Sequence, residues 1–378
     1  NAGDIDDGTG SGTVDLSVDH LDSWNMVSLP LNVDDPSHLS LFPTSVGGTL
    51  YSFSGGYNNE TELVSGPGYW LFFNDAGSDV LSGTAVNSVS ISLMSGWNMI
   101  GSITQEINVD AILDPQGIIV PGTIYGFDGG YNNATMITPG KGYWINASSA
   151  GDITLSSRSA KTRSSYVSPL NKANTISFNG STLYFGMSFS NKEMMSFCLP
   201  PKPPRGAFDV RFSDDMKLAE GSGTIEIMNV SDQINISYTI NINAGEHMKW
   251  VLTSAQGMEH ELNGSGEIKI NTDATEFHLR KDPSLPLNYS VSQNYPNPFN
   301  PVTSINYEVP EESFVNITIY NVTGQKVASL VNEVHEPGFH RAVWNSTNAN
   351  GDPISSGVYL YMVTAGDYHA VKKMVLMK

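Results

Sequence analysis

Val315-Asn316-Ile317-Thr318-Ile319-Tyr320-Asn321-Val322-Thr323-Gly324-Gln325-Lys326-Val327 alternates apolar with polar side chains and then breaks at a turn. Alternation with a period of two marks a strand with one buried face. Asn-Val-Thr-Gly supplies the residues a tight turn needs, so residues 315–327 read as a hairpin. Working outward, runs 303–309, 314–320, 325–330, 339–344, 357–364 and 369–376 read as strands. Val358, Leu360 and Met362 alternate with Tyr359 and Tyr361 in the fifth of them. Asn348-Ala349-Asn350-Gly351 is a second turn. The region predicts a six- or seven-stranded sandwich with Trp344 in or near its core.

The entry to this region is Gln293-Asn294-Tyr295-Pro296-Asn297-Pro298-Phe299-Asn300-Pro301. Closely spaced prolines exclude central strand and helix interior. An extended segment is expected, with Tyr295 and Phe299 plugging the first sheet. Four stretches then carry a family resemblance: QNYPNPFNPVTSI (293–305), VNITIYNVTGQKV (315–327), NGDPISSGVYLYMV (350–363) and KKMVLMK (372–378). They resemble type A sorting domains of the type IX secretion system, from a Bacteroidota-like bacterium. That family is similar in its immunoglobulin-like fold to the flagellar hook-capping protein. The resemblance implies export across an outer membrane, with the type IX translocon as partner. It also implies that the receptor grips Pro296, Asn297, Pro298 and Phe299, the strand with Gly357 and Tyr359, and Lys372, Lys373 and Lys378. The sorting domain is expected to be retained in the mature product.

A duplication organises the N-terminal third. Trp24-Asn25-Met26-Val27 matches Trp97-Asn98-Met99-Ile100, and Tyr51-Ser52-Phe53 matches Tyr125-Gly126-Phe127. Gly55-Gly56-Tyr57-Asn58-Asn59 matches Gly129-Gly130-Tyr131-Asn132-Asn133, and Gly68-Tyr69-Trp70 matches Gly142-Tyr143-Trp144. A fixed offset held over this span is a tandem repeat. Each copy is small for a free-standing core, so the two are expected to pack together. The unit resembles "GWN…GYW" repeats found beside type IX sorting domains. Two readings of the Gly-Gly-Tyr-Asn-Asn loops stand side by side. Tyr57, Asn58, Tyr131 and Asn132 form a glycan-binding face, or both rings close their own hairpins.

Residues 174–284 contain eight further apolar runs, the clearest being Ile234, Ile236, Tyr238, Ile240 and Ile242 alternating with polar neighbours. This spacing predicts a β-sandwich. Leu199-Pro200-Pro201-Lys202-Pro203-Pro204 is a stiff stretch, readable as a docking ligand or as a crossover between two sheets. The fold class is therefore all-β: a tandem small β-repeat domain followed by two Ig-like β-sandwich domains. The boundaries are an acidic linker at 1–15, a duplicated domain at 16–157 (repeats 16–88 and 89–157), a linker at 158–173, a sandwich at 174–284 and the sorting module at 285–378.

Composition limits the function. The net charge of −19 is concentrated in residues 1–160, which carry 17 acids against Lys141 and Arg158. Such a surface repels nucleic acid. No apolar run is long enough to span a membrane. Asp4, Asp6 and Asp7 form a weak calcium candidate in an otherwise cofactor-free chain, their spacing departing from the EF-hand pattern. The single cysteine, Cys198, permits no internal disulfide and reads as a buried thiol among Met194, Met195 and Phe197. No metal-ligand spacing, nucleophile elbow or P-loop occurs, so no enzyme is expected. The expected function is a secreted cell-surface structural or assembly protein, a filament or matrix subunit that self-associates through its β-modules. The competing reading is the accessory C-terminal region of a larger exported enzyme or adhesin, whose twin repeats bind surface polysaccharide. A chain starting at Asn1 fits either a removed leader or a longer parent.

Overall fold

The computed structural model describes residues 12–158, 166–230, 233–241, 248–271, 274–283 and 285–377. Among the described residues strands dominate, and the few helices span four residues or fewer. Among the described residues no helix is long and apolar enough to cross a membrane. The chain groups into two compact units, residues 1–242 with 251–280 and residues 243–250 with 281–378.

The first unit opens with the duplication, and the two copies have one topology. Copy one runs Thr13–His20, Trp24–Ser28, Leu50–Phe53, Tyr57–Glu60, Gly68–Phe72 and Gly77–Ala85. Copy two runs Ser88–Leu93, Gly96–Ile100, Tyr125–Phe127, Tyr131–Asn133, Tyr143–Ala147 and Gly151–Ser156. In each, the first strand pairs with the last, and the other four form a sheet in the order second, fifth, third, fourth. The first strand begins at Thr13, inside the stretch read as linker, because Val14 and Leu16 already pack on the copy-one core. Asp4, Asp6 and Asp7 lie outside the described residues.

Most residues of the repeated motifs have a mechanical reason. Asn25 closes the loop ahead of its strand: its Oδ1 accepts from Leu21 N at 2.9 Å, and its Nδ2 donates to Leu21 O and Ser23 O. Asn98 does the same for Met94 and Gly96. Tyr69 and Tyr143 each accept, through the hydroxyl, a backbone N–H five residues upstream (Val64 and Thr138). Gly68 and Gly142 let the copies touch backbone to backbone. A Cβ at Gly68 would sit 2.5 Å from Ile100 O, and one at Gly142 would sit 2.8 Å from Val27 O. No side chain fits there.

The contact between copies is reciprocal. Phe53 meets Trp144 edge-on at 4.8 Å, and Phe127 meets Trp70 edge-on at 4.8 Å. Gly142 N donates to Met26 O at 2.9 Å, Gly101 N donates to Gly66 O at 2.6 Å, and the Ser28 and Ser102 hydroxyls pair at 2.8 Å. Each copy keeps its own apolar core, one around Phe42, Leu71 and Phe73 and the other around Ile100, Ile145 and Ile153.

Two five-stranded sheets follow. The first orders Leu218–Ala219, Ser181–Phe185, Asn174–Phe178, Gln233–Thr239 and Ser265–Asn271. The second orders Asp209–Phe212, Gly223–Met228, Glu276–Pro283, Met248–Ser254 and Glu259–Leu262. Phe178 of the first lies 5.4 Å from Phe277 of the second, both fully buried. The proline-rich residues 199–204 join the two sheets, as the crossover reading expects.

The C-terminal unit contains a seven-strand sandwich. One sheet orders Ser290–Val291, Thr303–Val309 and Gly338–Trp344; the other orders Lys326–His335, Ser313–Asn321, Gly357–Ala365 and Tyr368–Leu376. Val315, Ile317 and Ile319 point inward, with Trp344 among them. In Gly357–Ala365 the inward set is Tyr359, Tyr361 and Val363, while Val358 faces out. Phe299 plugs the core and Tyr295 does not: Tyr295 is 81 % exposed. Tyr295 exchanges both backbone hydrogen bonds with Ser304, which fixes its side chain on the outer face. Its neighbour Asn294 takes the buried position.

Candidate functional site

Elements far apart in sequence converge at one end of the C-terminal sandwich. Phe299 N donates to Val375 O at 3.0 Å, Met377 N returns to Phe299 O at 2.9 Å, and Val375 N donates to Asn297 Oδ1 at 3.0 Å. The turn thus lies along the last strand, which pairs on its other side with Gly357–Ala365, placing Leu376 opposite Gly357. Pro296 is held from inside: Asn294 Nδ2 and the Thr303 hydroxyl both donate to Pro296 O. Asn294 N donates to the Tyr361 hydroxyl, which donates to Ser292 O. Burial pushes the Tyr361 hydroxyl up to about 12, so it stays a donor throughout the working pH range.

The structure brings together Pro296, Asn297, Pro298, Phe299 and Gly357, and turns the Tyr359 side chain into the core. Tyr359 is buried edge-on against Trp344 at 5.6 Å, with its hydroxyl donating to Ser355 O. Lys372 and Lys373 sit further down the last strand, opposite Tyr361 and Leu360, on alternate faces. Lys378 lies outside the described residues.

The twin repeats present a different arrangement. Their aromatic side chains form a connected set from Tyr57 and Phe53 through Trp144, Trp97, Tyr125 and Tyr131 to Trp70 and Phe127, with Trp24 in a second group beside Tyr51 and Phe72. The chain's own proline-rich segment runs across it. Tyr131 donates its hydroxyl to Pro201 O at 2.8 Å, and Tyr57 donates to the next carbonyl, Lys202 O, at 2.9 Å. Trp24 Nε1 donates to Arg205 O at 3.1 Å. Arg211 Nη1 holds Pro200 O at 2.9 Å. Extended proline-rich backbone has no internal hydrogen bonds, so its carbonyls are free to accept from an aromatic-lined groove. Burial pushes both tyrosine hydroxyls well above their usual range, Tyr131 most strongly, so both remain donors.

The face that the glycan reading singles out is therefore engaged by the protein itself. Asn58 and Asn132 are also committed locally, each donating to the second glycine of its own loop, Gly56 O and Gly130 O at 3.3 Å. Neither sequence reading anticipated this partner, since Tyr57 and Lys202 stand 145 positions apart. The aromatic repetition and the proline run were each visible, but nothing in their spacing pairs them.

Changing Tyr57 and Tyr131 together to phenylalanine tests the clamp. Two carbonyls lose their donors, at about 1 kcal/mol each. Tryptic cleavage after Arg205, which tracks the opened population, should accelerate about 30-fold. Unchanged cleavage would remove the clamp from consideration.

One buried polar cluster breaks the symmetry between copies. Thr44 Oγ1 donates to Asp79 Oδ2 at 2.8 Å, and His20 Nε2 lies 3.4 Å from the same oxygen and 3.2 Å from the hydroxyl. His20 stacks on Phe73 at 3.8 Å. In copy two the corresponding residues are Leu93, Ile153 and Ile118, all buried apolar. The set has the residue types of a nucleophile–base pair. However, the hydroxyl is bonded to the carboxylate, and His20 and Asp79 are each 5 % exposed. Cys198 is half-buried rather than fully buried, its Sγ 3.5 Å from Met216 Sδ, and burial pushes its thiol up, away from the reactive thiolate. Among the described residues no group of three or more His, Cys, Asp or Glu is placed to hold a metal.

Residues 293–377 match the family described as secretion system C-terminal sorting domain. No curated protein matches the chain. Among solved structures, the chain is similar to dimeric latent PorU from Porphyromonas gingivalis at 10 % identity, over 80 % of this chain and 31 % of that one, with a TM-score of 0.20. It is also similar to PorZ of the same bacterium, described as an essential surface component of the type IX secretion system. That likeness has 10 % identity over 87 % of this chain and 59 % of that one, with a TM-score of 0.19. The chain spans less than two thirds of either protein, and at these scores neither likeness carries an argument.

Proposed function

We propose that the chain, sent to the cell surface or the extracellular space by the type IX sorting domain at residues 293–377, is a non-enzymatic structural protein there. The type IX secretion machinery is its export partner. The observation that carries the structural reading is the clamp. The aromatic residues that could have offered a ligand platform, Tyr57, Tyr131 and Trp24, hold residues 201–205 of the same chain. The repeated motifs are thereby spent on a rigid β-scaffold.

Assembly is the finer part of the proposal. Strands Ser265–Asn271 and Glu259–Leu262 end their sheets in the first unit, and Gly338–Trp344 ends one in the second. Edge strands carry backbone groups that can pair with another copy. A filament or matrix subunit built by such pairing is the reading we favour. Negative-stain microscopy of the purified full chain should show regular polymers that lengthen with concentration. A single monomeric species across the micromolar to millimolar range would end the assembly proposal and leave the export assignment untouched.

A further inference from the structure

A cleft of about 810 Å³ opens in the first unit, beside copy two. That volume lies within the range of small-molecule sites. Its apolar wall includes Val109, Ile119, Val120, Ile124 and Val167. Two charged residues line it, Asp110 and Lys217.

Lys217 is the unusual member. The residue is 5 % exposed, yet among the described residues no carboxylate lies within ion-pair distance of its ammonium. Nζ donates to Asn133 Oδ1 at 3.0 Å and approaches Gly122 O at 3.5 Å. It lies 4.9 Å from the centroid of the Tyr125 ring. All three partners are neutral, and the titratable groups that face it, the Tyr125 hydroxyl and the Cys198 thiol, are both pushed up by burial and so kept protonated. A buried cation served only by neutral groups is costly, and burial accordingly lowers the Lys217 ammonium to about 8.

The duplication shows that the fold does not require this lysine. In copy one Asn59 Nδ2 donates to Gly48 O at 2.8 Å, and in copy two Asn133 Nδ2 donates to Gly122 O at the same distance. The asparagine–glycine clasp is complete in both copies. Lys217 is added to one of them from the neighbouring sandwich, where the cleft lies.

We propose that this cleft binds a small organic anion, one carboxylate or sulfonate carried on an apolar body. The anionic group takes the remaining capacity of the Lys217 ammonium, and the body lies against Ile119, Val120, Ile124 and Val167. Asp110 on the opposite count disfavours a second negative charge, which selects for a monoanion. The inference is independent of the assembly proposal.

The probe is 8-anilinonaphthalene-1-sulfonate, titrated by fluorescence against the full chain, with octanoate as competitor and octanol as the neutral control. One saturable site displaced by octanoate and not by octanol is expected. The sulfonate stays ionised, so affinity should fall about tenfold between pH 7 and pH 9 as the lysine loses its proton. Lys217→Met should weaken binding at pH 7 at least about tenfold and abolish the pH dependence. Val167 is 82 % exposed, so changing it leaves the core intact. Val167→Asp should weaken the probe and Val167→Lys should tighten it, each a few-fold. These two variants decide the matter even if Lys217→Met does not fold. Absence of a saturable site, equal displacement by octanol, a flat pH profile, or indistinguishable Val167 variants would each overturn the proposal.

Discussion

Trp344→Ala is expected to cost the C-terminal unit about 3–5 kcal/mol. Trp344 is 2 % exposed and sits where the Pro296–Phe299 turn and the strand Gly357–Ala365 meet the core. Its ring lies 5.7 Å from Phe299 and 5.6 Å from Tyr359, and its Nε1 donates to Thr347 O at 3.0 Å. Truncation opens a cavity under the Pro296–Phe299 turn and frees a backbone acceptor at once. A loss of this size approaches the whole stability of a small domain. Calorimetry of the full chain should show a separate low-temperature transition for this unit. In cells the variant should be retained rather than exported. A variant that melts with the parent and is exported normally would show that the turn does not depend on the core beneath it.

Asp209→Ala should cost the first unit a similar amount, about 3–5 kcal/mol, for an electrostatic reason. Arg211 is 1 % exposed and donates through Nε to Asp209 Oδ2 at 2.5 Å. Its Nη1 serves Pro200 O and Asp215 Oδ1. Without Asp209 the guanidinium is left buried with one largely exposed carboxylate, Asp215, as its counter-charge. Breaking a buried pair is more damaging than deleting both members, so adding Arg211→Met should recover part of the loss. Urea unfolding of the single and double variants measures this. The deficit should persist at 1 M salt, because buried pairs are poorly screened. A single variant as stable as the parent would mean that Arg211 positions Pro200 without help from Asp209.

These two sites differ in how far the sequence announces them. Trp344 ends a short strand run near a turn and its large apolar ring makes it a core candidate, although nothing in the run tells it from Phe339 and Val343, which face out. The hairpin at residues 315–327 is visible, because Val315, Ile317 and Ile319 alternate with polar neighbours ahead of a turn. Other features have no such signal. In Gly357–Ala365 both faces are apolar, so alternation cannot say that the tyrosines point inward. Strand Glu259–Leu262 is too polar to stand out. The duplication foretells that its copies share a topology, and they do. It cannot foretell that Tyr57 and Tyr131 meet Lys202 and Pro201, since that contact depends on how a later domain folds back. Lys217 is equally silent, being one lysine in a polar stretch until the structure buries it beside Tyr125.

The reach of the proline strap sets an order of events. Consecutive carbonyls at Pro201 and Lys202 are taken by tyrosines from different copies, so full seating requires both to be already side by side. Bridging 145 positions is entropically cheaper once the intervening chain is compact. A chain emerging N-terminus first therefore finishes its leading third only after its middle third has appeared. Any truncation before Arg205 should leave the twin repeats open along their aromatic side.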